Sequence, residues 1–153
     1  MRSLRIPTIA AAALVASLAS AHADPAAEAF LHSIYDAYSG ENGGGVMLDD
    51  AALPGYFTPH LVGLIQDDIK IAEAKGEVPK LDGDPFIDAQ DWKISDLAIK
   101  VEDRDASHAL GTVSYRNFDQ PQVMKLDLVK GADGWRIEEI TGQTGKLSAI
   151  FQN

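Results

Sequence analysis

The chain has 153 residues, 23 Asp and Glu against 13 Lys and Arg, a formal net charge of −10 and no cysteine. Such a field repels phosphate backbones and anionic lipid, so nucleic acid and peripheral membrane surfaces are not expected partners. Without cysteine, a disulfide framework, a thiolate zinc site and a lipid-modified cysteine anchor are excluded as well.

Met1 to Arg5 carries two cations and no acid, Ile6 to Leu18 is a run of small apolar residues, and Ala21-His22-Ala23 places small residues where a signal peptidase reads them. That pattern predicts a secretory signal peptide over residues 1–23, removed by a cut after Ala23. The apolar run falls short of the ~20 residues that cross a bilayer. The expected product is therefore a soluble periplasmic or secreted protein with no membrane anchor. Removal takes away Arg2 and Arg5 but no acid, so the net charge moves from −10 to −12. Residues 24–153 are read as a single domain.

Asp24-Pro25 predicts an N-cap followed by proline at the first helical position. Ala27, Phe30, Leu31, Ile34 and Tyr38 then recur at helical spacing, up to about Ser39-Gly40. Residues 41–45 (ENGGG) break the chain, and Val46 to Phe57 reads as irregular, with a short helical turn around Asp49 to Leu53. Thr58-Pro59 repeats the cap-plus-proline signal and opens a helix from Pro59 to Lys75, stopped by Gly76. Residues 77–90 read as loop. From Trp92 the period becomes alternating, with a bulge expected near Ser95-Asp96 because inward parity changes between Ile94 and Leu97. Strands are predicted over His108–Phe118, Val123–Lys130 and Trp135–Ile140, and Leu147, Ile150 and Phe151 suggest a short closing helix. The expected class is α+β, with N-terminal helices packed on a curved four-stranded antiparallel sheet, cone-like and able to enclose a pocket.

The segment Leu81 to Trp92 (LDGDPFIDAQDW) holds Asp82, Asp84, Asp88 and Asp91. As a helix–loop–helix calcium loop starting at Asp82 it fails at three positions, occupied by Phe86, Ile87 and Lys93. A looser cation or ligand site using Asp84, Asp88 and Asp91 stays open. The alternative accounts for more residues: Asp84-Pro85 caps a single helical turn, with Phe86 and Ile87 facing the core. No metal and no cofactor are expected, since His32, His60 and His108 share no ligand spacing and no glycine-flanked serine forms a nucleophile elbow. One acid, Asp68, falls inside the apolar arc of the second helix. It is either a buried polar anchor or a general acid or base, with Tyr35 or Tyr38 as hydrogen-bond donor.

Asp84 to Asp91 (DPFIDAQD), Phe30 to Tyr38 (FLHSIYDAY) and Tyr56 to Leu61 (YFTPHL) resemble segments of a bacterial exported family, domain of unknown function 3828. Gly134 to Ile140 (GWRIEEI) resembles the last strand of nuclear transport factor 2-like domains, the cystatin-like superfamily. The resemblance implies a cone-like α+β fold with a pocket, and it carries no established catalytic residues. Some relatives in that superfamily are isomerase-like enzymes, many are binding modules, and homodimers form through the open sheet face, so a homodimer is allowed here. The leading expectation is a non-catalytic module that binds a small molecule or an envelope protein. An enzyme using Asp68 with Tyr35 or Tyr38, and an acidic inhibitor or immunity-type protein, remain as alternatives.

Overall fold

Asp24 opens the first helix as its sequence predicts. In the computed structural model, which describes residues 23–40 and 43–152, Asp24 Oδ1 accepts the Ala26 amide at 2.8 Å and Pro25 takes the first helical position. The expected signal peptide lies, apart from Ala23, outside the described residues. Among the described residues no helix is long and apolar enough to cross a membrane.

Helix α1 (Pro25–Tyr35) buries Ala27, Leu31, Ile34 and Tyr35, then tightens into a 3-10 turn (Asp36–Tyr38) that buries Tyr38. The short helix α2 (Leu53–Tyr56) begins where the predicted turn ends: Asp49 Oδ1 accepts the Ala52 amide at 2.8 Å and so closes a turn ahead of the helix. Helix α3 (Pro59–Lys75) has the predicted bounds. Its cap does not work as expected, because Thr58 Oγ1 is buried and has no hydrogen-bond partner. The Thr58 amide instead donates to the Ile137 carbonyl at 2.9 Å, so the start of α3 is fastened to the sheet and not by its own side chain.

The sheet consists of β1 (Ile94–Asp103), β2 (His108–Asn117), β3 (Gln120–Gly131), β4 (Gly134–Gly142) and β5 (Gly145–Lys146), antiparallel and in the order β1-β2-β3-β4-β5. Helix α4 (Leu147–Ile150) follows at once. The expectation of four strands is corrected to five, since a two-residue strand carries no alternation that a sequence could display. The cone is corrected as well: the sheet is neither closed nor strongly curled. The register shift between Ser95 and Ala98 confirms the predicted bulge, with Asp96 at φ 53°. A second bulge, at Glu138 opposite Asp127 and Leu128, turns Ile140 onto the same buried face as Trp135 and Ile137.

One layer of helices covers one face of the sheet, and Leu31, Ile34, Leu61, Val113, Leu126 and Ile137 fill the space between them. At Gly111, β2 passes close under α1. A Cβ on Gly111 would lie 2.5 Å from Leu31 Cδ1, and Leu31 is fully buried. Gly111→Ala should therefore destabilise the protein by about 1–3 kcal/mol through overpacking. In urea unfolding, adding Leu31→Val should recover some of that loss, because the second substitution removes the clashing methyl.

Candidate functional site

Residues 80–90 carry the chain from α3 towards the sheet, and three tyrosines hold them. Pro85, Phe86 and Ile87 are buried, which removes the Phe86 and Ile87 carbonyls from water. Such groups need internal partners. The Tyr35 hydroxyl, from α1, donates to the Phe86 carbonyl at 2.8 Å, and the Tyr115 hydroxyl, from β2, donates to the Ile87 carbonyl at 2.9 Å. Tyr38 donates to Asp84 Oδ2 at 2.6 Å, while Asp84 Oδ1 accepts the Phe86 amide at 2.9 Å. The Asp84 amide closes the segment by donating to the Ala89 carbonyl at 2.9 Å. The expected helical turn is thus a tight, bridged turn, with Asp84 capping it by its side chain all the same.

Burial raises the pKa of Tyr35, Tyr38 and Tyr115 above the ordinary value of 10.0, so each hydroxyl keeps its proton and remains a donor. Asp84 is also raised, because burial outweighs the opposing hydrogen bonds from Tyr38 and the Phe86 amide. The Phe86 ring anchors the turn from below. It stacks on Phe57 at 5.4 Å and 9° between planes, and meets Tyr35, Tyr38 and Tyr56 edge-on.

This segment forms one wall of a cleft of about 360 Å3. The opposite wall is the β4–β5 turn with α4, and Met124, Ile140, Leu147 and Ile150 supply apolar lining. Asp82, Asp84, Asp88, Gln90 and Thr144 supply polar groups, and Lys80 also lines the cleft. Asp88 joins the two walls: its Oδ2 accepts the Thr144 amide at 2.9 Å and its Oδ1 the Thr144 hydroxyl at 2.6 Å. The approach requires glycine on the far side, since a Cβ at position 142 would lie 2.5 Å from Asp88 Oδ2. Glu139 fixes α4 by accepting the Ser148 amide at 3.1 Å and the Ser148 hydroxyl. At the outer end Gln90 Nε2 donates to Asp82 Oδ2 at 3.2 Å.

The structure places Asp68 as its helical angle predicts, buried at 7% exposure. Its Oδ2 accepts the Leu81 amide at 3.1 Å, and it borders a separate cavity of about 150 Å3 with Leu48, Leu53, Ile65, Ile69 and Leu81. Asp68 is therefore a polar anchor for the start of the 80–90 segment. Tyr35 and Tyr38 are not brought to it as donors, since their hydroxyl protons go to the Phe86 carbonyl and to Asp84. Asp84 and Asp88 meet at the cleft but serve different partners. Asp91 is exposed, with its carbonyl accepting Asn117 Nδ2 at 3.3 Å. Among the described residues no three His, Asp or Glu side chains converge to hold a metal ion. Tyr115, Thr144 and the Leu147–Ile150 lining were not singled out from the sequence. Only Gly142 and Gly145, two glycines three residues apart, signalled a turn there.

The arrangement offers fixed hydrogen-bond acceptors over an apolar surface. No family model, curated protein or solved structure matches the chain.

Asp88→Ala should free the β4–β5 turn from the loop at a cost of about 1.5–3 kcal/mol, as expected for hydrogen bonds to a carboxylate. Hydrogen exchange at the Thr144 amide should quicken more than at the β2–β3 amides. Asp84 carries a pH signature. Between the ordinary carboxylate value of 3.8 and its raised value in the fold, the folded protein holds a proton that the unfolded chain has lost. Stability should therefore decline as pH rises through that window, and Asp84→Asn should flatten the decline in urea midpoints measured across it.

Proposed function

We propose that this chain is an exported, non-catalytic binding module of the family its DPFIDAQD and GWRIEEI segments resemble, and that its ligand is a small molecule seated between the 80–90 segment and the β4–β5 turn. The observation that carries this reading is the cleft itself. A volume of about 360 Å3 lies within the range of small-molecule sites, and its lining combines apolar side chains with a few held polar groups. Both walls are fastened before any ligand arrives, one by Tyr35, Tyr38 and Tyr115 and the other by Asp88 and Glu139. Preorganisation of that kind lowers the ordering cost of binding.

The lining also selects a ligand chemistry. Asp82, Asp84 and Asp88 only accept hydrogen bonds when ionised, and the net charge of −10 disfavours an anion. The matching ligand has an apolar portion to cover Met124, Ile140 and Leu147 and carries amine, amide or hydroxyl donors. The enzyme alternative has less support, because the Tyr35 and Tyr38 hydroxyls it needs as donors are directed to the Phe86 carbonyl and to Asp84 and not to Asp68.

A fragment panel of aryl and alkyl amines, amides and carboxylates, followed by amide chemical shifts, tests the reading. Amines and amides should perturb Asp82–Gln90 and Gly142–Ile150 together, and Ile150→Trp, which fills the cleft, should weaken them about 10-fold or more. Perturbations elsewhere, or binding untouched by Ile150→Trp, would overturn it.

A further inference from the structure

A cut after Ala23 would create a new charged group, and the fold has a carboxylate waiting at that position. The Asp24 backbone nitrogen donates to Asp103 Oδ1 at 3.1 Å, across 79 positions of sequence and in partly buried surroundings. Asp103 ends β1, and Asp24 caps α1, so this contact ties the first helix to the edge strand. The Asp24 carboxylate is engaged otherwise: Oδ1 caps the Ala26 amide, and Oδ2 accepts Lys130 Nζ at 2.7 Å and Trp135 Nε1 at 3.2 Å.

We propose that the Asp24 nitrogen is the α-ammonium of the processed protein and that Asp103 is its built-in counter-ion, so that leader removal adds an ion pair joining α1 to β1. This rests on the exported reading given above. In the hydrolysis, the Ala23–Asp24 C–N bond breaks, the water oxygen joins the Ala23 carbonyl carbon, and the nitrogen takes up protons to become an ammonium. A neutral amide with one N–H thereby becomes a cation with three, and a hydrogen bond becomes a charge-assisted pair.

A positive charge at a helix N-terminus is disfavoured by the helix dipole, and an isolated ammonium at α1 would weaken the helix. The local charges offset this. From β1 comes Asp103, from α1 the Asp24 carboxylate and Glu28 in the first turn, and from β3 Lys130, which is bound to Asp24 Oδ2. Trp135 of β4 brings no charge, and Arg104, next to Asp103, is paired with Asp127 at 2.7 Å. The pair favours the protonated amine. Its contribution is full below the ordinary α-amino value of about 7.7–8.0 and is lost as pH rises through the higher value in the fold.

The test uses the full chain with its leader, expressed in a Gram-negative host and recovered from the periplasmic fraction. Intact mass gives the first residue, and limited acylation across about pH 6–9 gives α-amine reactivity, read on the N-terminal peptide. The processed protein should begin at Asp24. At pH 7 its α-amine should acylate about 3- to 10-fold more slowly than that of Asp103→Asn, the effect expected of a nearby opposite charge. Asp103→Glu should stay close to the unsubstituted protein. A correct cut with equal acylation rates in the unsubstituted protein and Asp103→Asn would sink the ion pair and leave export standing. A cut elsewhere would likewise sink the pair and leave export standing, and the absence of processed protein from the periplasmic fraction would sink both. If Asp103→Asn fails to accumulate, the unsubstituted protein decides alone: an acylation midpoint above the ordinary α-amino value supports the pair, and one at or below it overturns the pair.

Discussion

Burying the Phe86–Ile87 peptide is the constraint on which the candidate site depends. Two apolar side chains go into the core there, and the carbonyls between them lose contact with water. An unpaired buried carbonyl costs about 1–3 kcal/mol, enough to undo much of the gain from inserting the side chains. Tyr35 and Tyr115, approaching from a helix and from a strand, remove that penalty. The turn can then sit deep enough for Phe86 to stack on Phe57 and for Asp84 and Asp88 to face the cleft. Helix layer, sheet and cleft wall are joined at this single place.

The charge density of the aspartate segment has a structural explanation in that light. Asp84 holds the turn through the Phe86 amide and Tyr38, and Asp88 holds the opposite wall through Thr144. Both carboxylates keep lone pairs beyond those contacts, so residues that build the cleft also present acceptors into it. Building and binding are not competing roles for them. Asp68 acts likewise at the entrance to the segment, fastening Leu81 so that the chain leaves α3 in a defined direction.

Much of the fold was legible because its signals are local. The Asp24-Pro25 cap, the bounds of α3 and the bulge at Ser95–Asp96 each follow from a few neighbouring residues, and each appears as predicted. Helical angle alone places Asp68 between Leu61 and Leu64 on an apolar face centred on Ile65, and the carboxylate is buried there. Local signals also misled. Thr58-Pro59 has the form of a side-chain cap, yet its hydroxyl is unbonded, and the attachment at this point is the Thr58 amide donating to Ile137 of β4. Tyr35 and Tyr38 lie on the core side as their spacing predicts, but the hydroxyls offered as possible donors to Asp68 go to partners 51 and 46 residues away. The expected cone failed because strand alternation reports which face is buried and not how far a sheet bends.

The amino-acid sequence by itself determined the α+β class, the starts of α1 and α3, the parity change in β1 and the acidic field, since each depends on spacing within one element or on composition. Which aspartate meets which hydroxyl was decided only by tertiary structure. Asp88 and Thr144 lie 56 residues apart, and Tyr115 and Ile87 lie 28 apart. Contacts over such separations depend on strand order, register and the direction of a turn, and no local pattern encodes them. The cleft belongs wholly to that second category: its two walls are adjacent in space because β4 runs back past the 80–90 segment, and nothing within either segment announces the other.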